Sequence, residues 1–206
     1  GETSNNICTR YCTQAFGYKN RLEKAFSSAE KNFLQDGMAG KVSKARAEGG
    51  MNDSIIVSCK ENPDLGLSYL ETDVFERLVP FWKLQCYFTQ HGMPDFYPDL
   101  YEKMRQSEKD HPELKDLDRH KNVVPFQLNF IKGASLVAKK NLYPYFEKFG
   151  FFRLLKLTYG DYGTYTYNMT TEMRDAFKKE MEQLENDKKI SPLTSEELNE
   201  LIYAHE

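Results

Sequence analysis

The sequence has no long apolar run and no excess of charge of one sign. No stretch approaches the roughly 20 apolar residues that a membrane-spanning helix needs, so we predict no membrane-spanning segment. The 206 residues include 28 lysines and arginines and 31 aspartates and glutamates, a formal net charge of -3. Nucleic acids attract proteins with a clear basic excess, and this near balance therefore predicts no nucleic-acid partner.

Common catalytic motifs are also missing from the sequence. It contains no HExxH, GxSxG, P-loop or dinucleotide-binding pattern, and its histidines are dispersed at His91, His111, His120 and His205. For His91, which precedes a glycine that ends a helix, capping of that helix is the ordinary explanation. The cysteines do not form a CxxC pair, so the sequence predicts no metal ion. We also expect no cofactor, and this pattern favours a non-catalytic protein over an enzyme.

Cysteine is scarce, and the positions of the four residues predict disulfides. Cys8 and Cys12 lie one helical turn apart, with Cα atoms about 6 Å from each other and Cβ bonds tilted the same way, which disfavours a bridge between them. We therefore predict that each of them pairs with Cys59 or Cys86, which would clamp the first helix to a neighbour. Four reduced, buried cysteines are the alternative.

Two glycosylation sequons bear on the compartment of the protein. They are Asn52-Asp53-Ser54, in a glycine-rich stretch, and Asn168-Met169-Thr170, after a predicted hairpin. Exposed loops are where glycans attach, and disulfides persist in oxidising compartments. The sequons and the even number of cysteines together favour a glycoprotein that is secreted or lies in an organelle lumen.

Apolar spacing predicts an α+β fold that is predominantly α-helical. We expect a single helix-rich domain over 1–206, an irregular helical bundle with a small β-hairpin near residues 152–168. A brief strand is predicted in the segment IIVSC at 55–59 and a loop at 36–54. The predicted helices run over about 4–35, with Gly17 as a weak point, 68–90, kinked or split at Pro80, 99–107, 124–140, 171–188 and from 195 onward. Thr170 or Thr171 is the predicted cap of the helix over 171–188, and Thr194 to Glu197 have the pattern of a capping box.

Aromatic residues are abundant, with 14 Phe and 13 Tyr, and they suggest a function. The helix that contains Phe81 and Trp82 is apolar most of the way round, so it is either central in the domain or covered by another molecule. Tyr165 and Tyr167 share one face of the predicted hairpin, which is core if it points inward and a flat binding platform if it points outward. We predict that these four residues bind a protein partner, as in a peripheral subunit of a larger assembly.

Two other functions stay open at this point. Glu147, near a helix end, and Asp161, in the hairpin turn, have the general layout of the two carboxylates of a glycan-directed hydrolase. A helix-surface ion pair and turn propensity explain the same two residues without catalysis. The third candidate is a carrier that holds an apolar ligand between its helices.

Overall fold

A computed structural model of the chain describes residues 2–17, 74–110, 117–160 and 163–204. Within these ranges the chain is mainly helical and contains a two-stranded hairpin, which confirms the predicted fold class. None of the described helices is long and apolar enough to cross a membrane. The elements are α1 (Glu2–Ala15), α2 (Val74–Gln90), α3 (Phe96–Asp110), α4 (Val124–Ala138), α5 (Tyr143–Lys148), β1 (Lys156–Gly160), β2 (Thr164–Asn168), α6 (Thr171–Asn186) and α7 (Ser195–Tyr203).

Within the described residues, the first helix departs most from its predicted bounds. α1 ends at Ala15, and Gly17 follows with a φ of 69°, a left-handed conformation that glycine adopts without steric cost. The predicted continuation of this helix to residue 35, the loop at 36–54 and the strand at 55–59 lie outside the described residues. The predicted start of the second helix at 68–73 also lies outside the described residues, and Pro80 lies inside α2 as predicted.

Helix α2 is the centre of the described fold. It contacts α1, α3 and α7, and its residues from Leu78 to Phe88 are all buried. Phe81 lies edge-on to Phe130 of α4 and to Phe151, with ring centroids 5.5 and 5.8 Å apart. A helix that is apolar most of the way round is therefore surrounded here by its own chain.

Two buried tyrosines bind the backbone of α2 at its proline. The Tyr145 hydroxyl of α5 donates to the Pro80 carbonyl at 2.5 Å, and the Tyr97 hydroxyl of α3 donates to the Phe81 carbonyl at 2.6 Å. Burial raises the pKa of both phenols well above the usual value, so the two hydroxyls stay protonated and keep donating. These two hydrogen bonds fix α3 and α5 to adjacent carbonyls of α2.

The hairpin has the position that its sequence predicts. β1 and β2 are antiparallel, with Leu157 opposite Tyr167 and Tyr159 opposite Tyr165. Tyr167 is fully buried, and its hydroxyl donates to the Phe151 carbonyl at 2.9 Å, which fixes the inner face of the hairpin on the core. On the other side of β2, Thr166 exchanges backbone hydrogen bonds with the segment that precedes α4, through His120 and Val123.

The last two helices begin at the predicted caps. The Thr170 side chain accepts a hydrogen bond from the Met173 amide at the start of α6. Thr194 and Glu197 form a complete capping box at the start of α7. Both motifs satisfy backbone amides that have no partner within the first helical turn, which is why local sequence predicts them correctly.

Tyr143 makes the stability of the chain sensitive to alkaline pH. Its ring stacks on that of Phe152, with centroids 4.1 Å apart. Burial is the larger cause, and the nearby Glu147 carboxylate the second, that together raise the pKa of Tyr143 to about 12. The phenol of an unfolded chain has a pKa of about 10, so the contribution of Tyr143 to stability is complete below about pH 10 and is lost as the pH rises through about 12. We expect Tyr143→Phe to lose less of its unfolding free energy than the native chain between these values. Urea unfolding curves at a series of pH values measure the difference, and parallel losses in the two proteins would contradict it.

Candidate functional site

A histidine and two carboxylates meet where α7 packs on the end of α2. His91 directly follows α2, and its ring stacks on Tyr87 with centroids 4.0 Å apart. Nδ1 of His91 lies 2.8 Å from the Tyr87 carbonyl, so this nitrogen carries the proton and caps the helix, as the sequence predicts. Nε2 lies 3.6 Å from Oε2 of Glu200 on α7. The contact with Glu200 has no local sequence signal, because the two residues are far apart along the chain.

The second carboxylate of this cluster is Glu197, which is more tightly held than Glu200. Lys140 Nζ lies 2.5 Å from its Oε1, and the backbone amide of Thr194 donates to its Oε2. The hydrogen bond from Lys140 is the main cause that lowers the pKa of Glu197. Burial, with smaller effects of Glu197 and Glu200, raises the pKa of Tyr87. The cluster therefore places an exposed histidine beside an exposed carboxylate.

A second cluster lies at the outer end of the hairpin, around Tyr165. The ring of Tyr165 stacks on His120 with centroids 4.7 Å apart, and the Arg119 guanidinium lies 6.0 Å from its centroid. Nδ1 of His120 lies 3.0 Å from the Thr164 carbonyl, which holds the imidazole in place. Tyr165 is half-buried and packs on its own chain in this arrangement.

The other predicted binding residues lie in the core. The exposed fractions are 9% for Phe81, 1% for Trp82 and 0% for Tyr167. These side chains therefore belong to the core, which is one of the two alternatives that the sequence left open. Glu147 is exposed on α5, whereas Asp161 lies outside the described residues. The spacing of these two carboxylates therefore stays a prediction.

The predicted disulfide clamp is wrong for the described cysteines. Cys8 and Cys12 are free thiols, Cys86 forms no disulfide, and Cys59 lies outside the described residues. The reason is the orientation of α1, which turns Ile7 and Arg10 into the interior and leaves Cys8 and Cys12 exposed, whereas Cys86 is buried within α2. A disulfide requires Cβ atoms that approach within about 4.5 Å, and helix faces that point apart do not allow this.

Two grooves on α4 bear on the ligand-carrier alternative. The larger has a volume of about 300 Å³ and lies between α4 and α6, with the ion pair between Lys132 and Glu180 among its lining residues. The smaller has a volume of about 90 Å³ and lies between α3 and α4. Sites for drug-sized ligands begin at roughly 300 Å³, so the larger groove is at their lower limit.

Comparison with known proteins shows the family of this chain, which the two clusters do not indicate. Residues 1–150, most of the chain, match the family described as Peptidase M60, enhancin and enhancin-like. The chain belongs to this family. No curated protein matches the chain.

Two solved structures are similar to this member of the Peptidase M60 family. One is a metallopeptidase from Bacteroides thetaiotaomicron, with 29% identity, a TM-score of 0.46 and coverage of 54% of this chain and 18% of the other. The other is a metallopeptidase in complex with Tn antigen, with 29% identity, a TM-score of 0.46 and coverage of 54% and 20%. The chain thus spans about a fifth of the length of the solved proteins that it matches.

Family membership overturns the predicted function. A non-catalytic binding protein or accessory subunit does not agree with a match to a peptidase family over residues 1–150. The prediction failed because it relied on short catalytic motifs, which are missing here, and the family relationship is spread over most of the chain. Of the functions considered, the alternative of a hydrolase was closer to this finding than the binding protein.

A metallopeptidase needs a metal ion, and the described residues do not provide a complete site for one. Catalytic zinc sites use three protein ligands and leave one position for water or substrate. His91 and Glu200 form only a pair, with Nε2 and Oε2 3.6 Å apart. No group of three or more His, Cys, Asp or Glu side chains within 2–17, 74–110, 117–160 and 163–204 is placed to hold a metal. The described residues therefore do not fit the metal, and we assign them no catalytic step.

Proposed function

We propose that this chain forms part of a metal-dependent peptidase and that its substrates are polypeptides. The observation that carries the proposal is the match to the Peptidase M60 family over residues 1–150. The protein partner implied by this function is a polypeptide substrate. The proposed reaction is the hydrolysis of a peptide bond, whereas the two-carboxylate alternative was the hydrolysis of a carbohydrate.

The described helices serve this function as a rigid support. α2 is packed by α1, α3 and α7, and the hydroxyls of Tyr97 and Tyr145 hold adjacent carbonyls at its proline. Metal-dependent hydrolysis requires ligands and substrate to be held within a fraction of an ångström of the productive geometry. A helix fixed from three sides can supply that rigidity to the elements that it contacts.

A secreted or lumenal location agrees with a glycosylated polypeptide as substrate. The two sequons favour a secreted or lumenal protein, and glycosylated polypeptides are abundant in those compartments. One of the two similar solved metallopeptidases is in complex with Tn antigen. A peptide that carries this glycan is therefore a reasonable choice for one of the test substrates.

Product analysis tests the proposal. Native protein, recovered with an antibody against the 206-residue chain, is incubated with casein and with two synthetic peptides that differ only in one Tn-glycosylated threonine. Mass spectrometry of the products distinguishes the two hydrolase classes. We expect fragments with new amino and carboxyl termini and with the sugar still attached to its threonine.

Two outcomes contradict the proposal. Release of the sugar from an uncut peptide assigns the protein to carbohydrate hydrolysis, the function that Glu147 and Asp161 were considered for. Absence of new termini in casein and in both peptides removes the assignment as a peptidase. Comparison of the two peptides also shows whether the glycan raises or lowers the rate of cleavage.

A further inference from the structure

The solvent face of α1 carries two free thiols at a spacing that suits a metal ion. Cys8 and Cys12 are both exposed, whereas Ile7 and Arg10 of the same helix are buried. Residues four apart in a helix project from the same face, one above the other. Both thiols therefore point into solvent from one side of α1, and neither packs in the core.

Helical geometry allows these two thiols to share a ligand more readily than to form a disulfide. A disulfide brings the two sulfur atoms to about 2 Å, and Cβ bonds tilted in parallel along a helix oppose that approach. A metal ion separates the sulfur atoms by about two metal–sulfur bonds, each roughly 2.3 Å for zinc thiolates, which is closer to the spacing of side chains at these positions. Helices use the same separation when two histidines of an HExxH segment bind one zinc ion.

We propose that Cys8 and Cys12 form a two-thiolate site for a thiophilic d10 cation, with Cu(I) as its representative. Soft thiolate ligands select Cu(I), and this ion accepts two sulfur ligands in a nearly linear arrangement. A tetrahedral zinc site would need four ligands, and no group of three candidate side chains forms in the described part of the chain. The pair therefore favours an ion that is satisfied by two ligands.

The binding reaction balances without a redox step. Two S–H bonds break, two Cu–S bonds form, and two protons leave for solvent, so copper stays in the +1 state. The resulting bis-thiolate centre carries one negative charge, and the exposed position of Cys8 and Cys12 allows water to solvate it. The test of this site does not depend on the proposed activity.

Competition for Cu(I) tests the site directly. The full chain, reduced and without oxygen, carries Cys59→Ser and Cys86→Ala so that two thiols remain, and a chromogenic Cu(I) chelator competes with it. We expect one Cu(I) per chain. Cys8→Ser or Cys12→Ser alone should lower the affinity by about 100-fold, because the second thiol binds at a high effective concentration once the first is bound.

A spacing control separates a shared site from two independent thiols. Thr9→Cys combined with Cys12→Ser keeps two thiols but places them on adjacent residues, about 100° apart around the helix. This variant should bind Cu(I) as weakly as the single serine variants. Equal affinity of the parent and any of these variants would overturn the proposal. Circular dichroism checks that each variant is folded, and native mass spectrometry of the parent should show one copper with two protons lost.

Discussion

Replacement of Trp82 by alanine is expected to destabilise the chain by about 3–5 kcal/mol, the usual range for a large aromatic side chain removed from a core. Trp82 is 1% exposed, and the Arg10 guanidinium of α1 lies 4.8 Å from the centroid of its ring. The substitution therefore removes packing on α2 and a cation–π contact that links α1 to it. Urea denaturation followed by circular dichroism measures the loss.

The control for this experiment is Tyr11→Ala on α1. Tyr11 is 50% exposed, so its truncation should change the unfolding free energy by no more than about 0.5 kcal/mol. If Trp82→Ala were as stable as this control, the buried packing of Trp82 of α2 against α1 would be incorrect.

The double variant Tyr97→Phe/Tyr145→Phe is expected to lose about 2–3 kcal/mol, roughly 1–1.5 kcal/mol for each hydrogen bond. Both rings stay in the core, so the change isolates the hydroxyls that donate to the carbonyls of Phe81 and Pro80. Those carbonyls are buried, and water does not readily replace the lost donors. Chemical denaturation of the two single variants and the double variant gives the separate and combined losses.

Tyr203→Phe is the matched control for the loss of a phenol hydroxyl. Tyr203 is 50% exposed on α7, and water takes over any hydrogen bond of its hydroxyl, so the change should be nearly neutral. A double variant as stable as Tyr203→Phe would show that the two buried hydroxyls do not stabilise the contact of α2 with α3 and α5.

Features that depend on neighbouring residues in the sequence were predicted well. Alternating apolar residues around a glycine-containing turn predicted the hairpin, and the caps at Thr170 and Thr194 marked the starts of α6 and α7. The position of Pro80 inside a helix was also predicted. Each of these signals lies within a few residues of the structure that it specifies, because capping and turn formation are local interactions.

Features that depend on distant residues were not predictable in the same way. The sequence showed that α2 is apolar on most sides but not that α1, α3 and α7 cover it. It gave the spacing of Cys8 and Cys12 but not the rotation of α1 that leaves both exposed. The contact between His91 and Glu200 requires the packing of α7 on α2 and has no sequence pattern of its own.

Dependence of proteolysis on a metal ion tests the central claim most directly. The native protein, recovered with an antibody against this chain, is assayed on casein before and after treatment with a chelator, and again after zinc is restored. The proposed function, a metal-dependent peptidase, predicts that the chelator abolishes cleavage and that zinc restores it. Cleavage that continues unchanged after the metal is removed, or no cleavage in any condition, would contradict the account.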